Sequence, residues 1–270
     1  MNSIEAFADD FAHAFYRKEW RGTGGLSFAR LSLAEAYTVQ DGVARRRLGL
    51  GERVAGWKVG CTSAAIRAQF GLSEPINARI FHPHIWANGQ TVDWRRHVRC
   101  AIEPEMVLCI GAELRGGELP DAELLDAIEW VAAGIEVHDF TFWLTPPSIQ
   151  ELVCSGGIHA GLVVGDDKVD PHSLTFRDEL FSVRANGVAS ASAPASAIMG
   201  GPLHSLRWLV AALAQRGETL RKGSLVIPGS PTELMTIDRD TNLEVTISSV
   251  GSVKGRFASS PDGGQTTHSA

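Results

Sequence analysis

Three glutamates stand where acids are unusual. Glu103 and Glu105 flank Pro104 at the mouth of the apolar run Met106 to Ile110, a run suited to a buried strand. Residues two apart on a strand face the same way. The two carboxylates would therefore project together and repel, more strongly if buried. A divalent cation bound to both removes that conflict. Pro104 cannot donate to a ladder and fits the start or the edge of a strand. Glu136 repeats the anomaly between Ile135 and Val137, on one face with His138. Three carboxylates make a hard, oxygen-rich site suited to Mg²⁺ or Mn²⁺ and poorly suited to zinc. Spacing alone leaves a second reading open: Glu103 and Glu105 on an exposed strand face, with Glu136 paired to an arginine, because Glu-x-Glu is a common pattern.

Lys58 sits among apolar residues and glycines in Gly56-Trp-Lys-Val-Gly60. A half-buried lysine can neutralise a substrate carboxylate or move a proton, and a lysine snorkelling from a strand edge fits the same pattern. Gly229-Ser230 can offer backbone N–H groups to an anion or form a plain turn. The pair His82-Pro-His84 lacks a third nearby ligand, so a loop pair is expected rather than a metal site. His138 and His159 each lie in a strand-like run and fit hydrogen-bonded core histidines; His138 also shares a face with Glu136.

The elements that must position these residues come in two groups. Over residues 1–97 the pattern is helical, with one lysine-bearing strand at Val54 to Gly60. Ile4, Phe7, Phe11 and Phe15 recur at helical spacing. Ser32 and Glu35 form a capping box for a second helix that breaks near Gly49 and Gly51. Thr62 or Ser63 caps a third helix, closed by Gly71. Residues 98–258 read as a β-rich catalytic core. It holds strands at Met106 to Ile110, Ile135 to Phe140, Ile158 to Val164, Leu225 to Ile227, Leu243 to Ile247 and Val253 to Phe257, with a hairpin turn at Asn186-Gly187. Two helices are expected within it. One opens at Pro120, carries Leu124, Leu125, Ile128 and Val131 on one side and ends at Gly134; the other spans Leu203 to Arg216. Residues 259–270 are small and polar and read as a disordered tail. Helices first, then strands, argues for an α+β fold.

The 270 residues, 44% hydrophobic and 21% charged, suit a folded chain. The net charge of −6 argues against a nucleic-acid partner; the run Arg45-Arg46-Arg47 reads as a solvated helix face. No apolar run is long enough to span a bilayer. The opening Met-Asn-Ser-Ile-Glu lacks the segments of a secretory signal, so a cytoplasmic protein is expected. Its four cysteines, none at metal-type spacing, are expected to be free thiols.

Four motifs occur in order: Gly56-Trp-Lys-Val-Gly-Cys-Thr-Ser63, Ile102-Glu-Pro-Glu-Met106, Ala133-Gly-Ile-Glu-Val-His-Asp139, and Gly217-x₄-Lys-Gly-Ser-Leu-Val-Ile-Pro-Gly-Ser230. Together they resemble the 2-keto-4-pentenoate hydratase and 4-oxalocrotonate decarboxylase group of the fumarylacetoacetate hydrolase superfamily. The resemblance implies a mixed β-sandwich roll with an N-terminal helical part, in a homo-oligomer, with a paralogous decarboxylase or hydratase subunit as a further partner. It implies Glu103, Glu105 and Glu136 as ligands of Mg²⁺ or Mn²⁺, Lys58 as the active-site lysine and Gly229 and Ser230 at a small 2-oxo or 2-hydroxy acid. Two stretches depart from the group's pattern. Glu74-Pro-Ile-Asn-Ala-Arg79 lacks the group's loop aspartate, and Ser155-Gly-Gly-Ile158 replaces an Asp-Asn-x-Ser stretch. Glu74 and His138 are then candidate proton carriers, and Arg79 a candidate bidentate partner for a substrate carboxylate. The expected reaction is hydration of a 2-hydroxy-2,4-dienoate. The rivals are decarboxylation of a 2-oxo-dioate, hydrolysis of an acylpyruvate with His82 or His84 as base, and a non-catalytic 2-oxo-acid-binding or assembly subunit.

Overall fold

A computed structural model describes residues 3–20, 28–117, 119–139 and 148–259. Phe140 and all of the expected tail but Ser259 lie outside them. The helices are α1 (Ser3–Arg17), α2 (Leu33–Gly49), α3 (Ala64–Phe70), α4 (Asp121–Ala127), α5 (Ile149–Cys154) and α6 (Pro202–Gln215). The strands are β1 (Arg53–Gly60), β2 (Ile76–His82), β3 (Ile85–Ala87), β4 (Thr91–Val92), β5 (Ala101–Ile110), β6 (Ile128–His138) and β7 (His159–Val164). They continue with β8 (Leu180–Ala185), β9 (Val188–Pro194), β10 (Leu225–Ile227), β11 (Met235–Thr236), β12 (Thr241–Ile247) and β13 (Gly251–Phe257). One mixed sheet runs β2-β1-β10-β5-β6-β7-β3, with β11 also on β5; a second runs β4-β13-β12-β8-β9. The fold is α+β, as expected.

The two sheets pack face to face. Ile102, Met106, Leu108, Ile135 and Val137 from the first meet Phe181, Val183, Val245, Val253 and Phe257 from the second, and α6 closes the same core with Leu206, Leu209 and Leu213. The other face of the first sheet is the one that positions chemistry. Its lower part is a small dry cluster of Ala55, Ile80, Val107, Ala132, Leu162 and Ile227. Alternation along β5 puts Val107, Glu105 and Glu103 in one row on this face. Over the helices, Phe7, Phe11 and Phe15 of α1 are buried with Val39 of α2 and Leu152 of α5.

Local signals explain most boundaries. Ser32 and Glu35 make the capping box of α2, Ser63 caps α3, and Gly71 closes α3 in the left-handed conformation. Asn186 and Gly187, both at positive φ, turn the β8–β9 hairpin. One expectation is corrected. The helix after Pro120 stops at Ala127, and Ile128 to His138 is a strand paired along β5. Nearly every side chain of β6 is buried, so an apolar run at helical spacing is equally a strand covered on both faces. The first ninety-seven residues also supply β2, β3 and β4 beside the lysine-bearing β1.

The helices are clamped to the first sheet by a buried ion pair. Arg47 Nε donates to Glu52 Oε2 at 2.7 Å, and the guanidinium stacks 4.2 Å from the Phe15 ring centre and 4.0 Å from that of Phe81. Glu52 Oε1 accepts from the Tyr16 hydroxyl at 2.7 Å and lies 3.1 Å from His84 Nε2. Burial alone would raise the pKa of Glu52. Hydrogen bonding by His84, the Arg47 charge and the Tyr16 hydroxyl outweigh it and hold the carboxyl below the ordinary glutamate range. The unfolded chain therefore binds this proton more readily. The stabilisation is present above the ordinary glutamate range and is lost as pH falls through the folded value. Replacing Glu52 by Gln should remove about 3 kcal/mol of stability at neutral pH and flatten the acid limb of stability against pH, measured by urea unfolding at several pH values.

Candidate functional site

Glu103 and Glu136 are directly opposed across the β5–β6 ladder, and Glu105 lies opposite Gly134. Lys58 reaches the same face from β1, where it pairs with Ile227 of β10 and Ala78 of β2. The four charged side chains thus converge inside the curve of the first sheet, above its dry apolar floor. Glu105, Glu136 and Lys58 are buried, while the Glu103 side chain keeps 24% exposure and marks the open side.

Glu136 is the hub. Its Oε1 accepts from Lys58 Nζ at 2.5 Å and lies 2.8 Å from His159 Nδ1. Its Oε2 is buried, has no hydrogen-bond partner among the described residues, and sits 3.6 Å from His138 Nε2. That nitrogen is 3.0 Å from Glu103 Oε2. Donor atoms of Glu103, Glu136 and His138 all fall within 4.8 Å of one another, a span one ion can bridge. Glu105 stands beside this group with its Oε2 accepting from the Gly229 N–H at 3.1 Å.

Backbone devices make room for these contacts. On the side of β5 away from β6, β11 pairs at Ala101 and Ile102 and β10 at Leu108 and Cys109. Pro104 falls in the gap between them, where its missing N–H leaves no bond unmade. The Gly229 N–H meets the Glu105 carboxylate in the same gap. Gly229 has φ +120°, and a Cβ there would lie 2.5 Å from the Thr62 side chain. Gly156 and Gly157 are both left-handed, and the turn brings the Gly157 carbonyl to 3.2 Å from Lys58 Nζ. The stretch Ser155-Gly-Gly-Ile158, which departs from the expected pattern, is therefore part of the lysine's seat.

The electrostatics are unbalanced. Three carboxylates face one ammonium, so full ionisation leaves two negative charges at close range. Burial opposes ionisation of Glu136, yet Lys58, His138 and the His159 hydrogen bond hold its carboxyl well below the usual range. Burial and the charges of Glu136 and Glu103 push Glu105 well above it, against Lys58 and the Gly229 hydrogen bond. Burial works against the Lys58 ammonium, but Glu136 and Glu103 outweigh it and raise its pKa. Burial lowers His159 to about 4, partly offset by Glu136, so its ring is neutral and donates from Nδ1. The unpartnered Glu136 oxygen and the raised Glu105 carboxyl mark a centre short of positive charge, which a dication would supply. The donor set fits one.

Other expected site residues lie elsewhere. Arg79 faces Trp57 on the opposite side of β2 from Lys58, stacked at 4.7 Å, with its guanidinium bonded to Asp41 at 2.6 Å and Glu218 at 2.8 Å. Its fork is taken up by two acids, so the structure does not bring it to the carboxylates. Glu74 is exposed on the α3–β2 connection, near the Trp208 indole at 3.4 Å, and lines a separate cavity of about 500 Å³ with Tyr37 and Arg216. Ser230 is half-buried after Gly229 and bonds within its own turn to Thr232. His84 is held by Glu52, and His82 is exposed at the end of β2. His159 is the residue whose role at Glu136 sequence reasoning missed. Its pairing region on β7, next to β6, was the available signal, but the contact needs the register.

The fold is of the fumarylacetoacetate hydrolase type. The chain is 25% identical to a 4-oxalocrotonate decarboxylase from Pseudomonas putida G7 whose structure was solved with magnesium and adipate; the match covers 94% of this chain and 97% of that one at a TM-score of 0.89. Fumarylpyruvate hydrolase from Pseudomonas aeruginosa, solved with Mn²⁺ and pyruvate, shares the fold at a TM-score of 0.60 and 15% identity, over 75% of this chain and 88% of that one. In sequence, the chain is 24% identical to the 2-keto-4-pentenoate hydratase of Paraburkholderia xenovorans (strain LB400), over 86% of this chain and 87% of the relative. It is 27% identical to the 4-oxalocrotonate decarboxylase of Pseudomonas sp. (strain CF600), over 84% and 86%. No protein-family model matches. The resemblance carried by the motifs is borne out: the chain is similar over most of its length to 2-keto-4-pentenoate hydratases and 4-oxalocrotonate decarboxylases.

Removing the lysine tests the charge balance. Lys58→Met leaves the buried Glu136 without its counter-ion and should cost about 3–5 kcal/mol in metal-free buffer. Thermal unfolding with and without Mn²⁺ should show the dication recovering much of that loss by binding the folded state.

Proposed function

We propose that the protein is a divalent-metal lyase that hydrates a 2-hydroxy-2,4-dienoate to a 4-hydroxy-2-oxo acid. The observation carrying this reading is the convergence of Glu103, Glu105 and Glu136 around Lys58, with Glu136 Oε2 left unpartnered. Glu103, Glu105 and Glu136 would hold Mg²⁺ or Mn²⁺, both hard enough for carboxylate oxygens. A dication there supplies Lewis-acid polarisation to the carboxylate and 2-oxygen of the substrate.

The chain's own residues do the rest. Lys58 Nζ, buried against Glu136 Oε1, balances negative charge and holds a proton next to the reacting acid. His138 Nε2, on the open side with Glu103, is placed to carry a proton for the addition of water at the conjugated carbon. The aliphatic cluster of Val107, Ala132, Leu162 and Ile227 lies on the same face, and Glu103 is the most exposed of the three carboxylates, so the substrate would approach past Glu103. Gly229 and Ser230 border the site; the Gly229 N–H is committed to Glu105, so its contribution to substrate binding acts through that carboxylate.

Decarboxylation of a 2-oxo-dioate is a second reading, supported by the likeness to the magnesium- and adipate-bound decarboxylase. The proposal includes a homo-oligomer, supported by the apolar side chains of Leu180 and Val188, 47% and 68% exposed. A paralogous subunit would be a further partner. Cytoplasmic location is part of the same reading; its support is that all four cysteines are free. Among the described residues no helix is long and apolar enough to cross a membrane.

Purified protein with Mg²⁺ should bleach the ultraviolet absorbance of 2-hydroxypenta-2,4-dienoate or a longer homologue without releasing CO₂. CO₂ release from a 2-oxo-dioate without hydration would favour decarboxylation, and neither reaction across a panel of chain lengths would refute both. Glu105→Gln removes an anionic donor and should weaken Mn²⁺ binding about tenfold or more by calorimetry; unchanged affinity would rule Glu105 out as a ligand.

A further inference from the structure

The imidazole of His138 stands among the carboxylates in a way that a proton carrier alone does not require. Alternation along β6 puts it on the face of Glu136, and its Nε2 lies 3.0 Å from Glu103 Oε2 and 3.6 Å from Glu136 Oε2. Two donors in cis about an ion with bonds of about 2.1 Å stand about 3.0 Å apart. Lys58 and His159 both occupy Glu136 Oε1, which turns Oε2, the oxygen nearer His138, into the one free to bind. The ring is buried, and among the described residues Nδ1 has no hydrogen-bond partner. Metal-bound histidines commonly anchor the second nitrogen on a carbonyl or carboxylate. Here packing and the contacts of Nε2 alone orient the ring, so its polar engagement is directed at the two carboxylates.

We propose that His138 is itself a metal ligand, and that the centre is a mixed carboxylate–imidazole site selecting a first-row transition dication over Mg²⁺. The inference rests on the metal-dependent reading above and goes beyond it in naming the donor and the class of ion; a ligating Nε2 carries no proton, so the proton-carrying role then falls to Lys58 rather than His138. A neutral nitrogen adds little for Mg²⁺, which prefers oxygen and keeps its waters. Later divalent ions gain progressively from imidazole, in the order Mn²⁺, Fe²⁺, Co²⁺. Glu103, Glu136 and His138 are the donors whose atoms lie within 4.8 Å of one another, with Glu105 beside them.

The test uses the full-length protein stripped of metal. Calorimetric titration with Co²⁺ and with Mg²⁺ gives an affinity ratio for the wild type, for His138→Gln, which offers a hard amide oxygen, and for His138→Ala. The ratio should fall about tenfold or more in both variants, mainly through weaker Co²⁺ binding. The visible absorption of the Co²⁺ protein should change with it. Electron spin echo modulation of the Mn²⁺-loaded wild type should show ¹⁴N coupling from a directly bound imidazole, a reading independent of how the variants fold. An unchanged ratio in the variants, or no ¹⁴N coupling in the wild type, would overturn the assignment while leaving the metal-dependent reading intact. Failure of the wild type to bind either ion would overturn both. Glu103→Gln should weaken both ions together, separating loss of the site from loss of its selectivity.

Discussion

The Lys58–Glu136 pair is the interaction around which the centre is organised. A carboxylate fully enclosed by a sheet is costly unless a partner and hydrogen bonds meet it. Glu136 has both on one oxygen, from Lys58 and His159, and neither on the other. The lysine is itself held by the Gly157 carbonyl. The arrangement keeps one carboxylate ionised in a dry place with a bare oxygen presented to the site. Two further glutamates next to it turn a stable ion pair into a centre short of positive charge.

The backbone has been shaped to permit this. Pro104 interrupts the β5 ladder where β10 and β11 leave a gap, and a glycine N–H then serves a side-chain carboxylate in place of a strand partner. Left-handed glycines at 156 and 157 turn a carbonyl onto the lysine. A cluster of buried aliphatic residues packs on the same face beside the buried charges. Low local polarity strengthens each remaining electrostatic contact and makes each missing one more expensive. Polar head and apolar floor belong to one design: the floor gives the head its strength and limits the substrate to one direction of approach.

Identity of about a quarter to both hydratases and decarboxylases fits a shared centre whose surroundings decide the outcome. In this chain those surroundings include two histidines flanking Glu136 and a glycine pair under Lys58. The histidines contact the carboxylates and the Gly157 carbonyl contacts Lys58, so differences in ion preference or proton handling would arise there rather than in the distant Arg79 or Glu74.

Much of this was legible from residue order. Capping at Ser32 and Ser63, the Asn186-Gly187 turn, the apolar stripe of α6 and the three anomalous glutamates are all local patterns, and local patterns follow from short-range sterics and hydrogen bonding. Residues 128–134 were misread because an apolar run fits a buried strand as well as a helix, and only pairing with β5 decides between them. Arg79 and Glu74 were candidates because their stretch departs from the group's loop pattern; a strand alternates faces, and Arg79 points the other way into Asp41 and Glu218. Sequence by itself determined which residue types carry the chemistry and which segments hold them. The tertiary structure alone decided which of them meet, because contacts between residues a hundred positions apart, such as Lys58 with Gly157, depend on strand register and sheet curvature that no local pattern encodes.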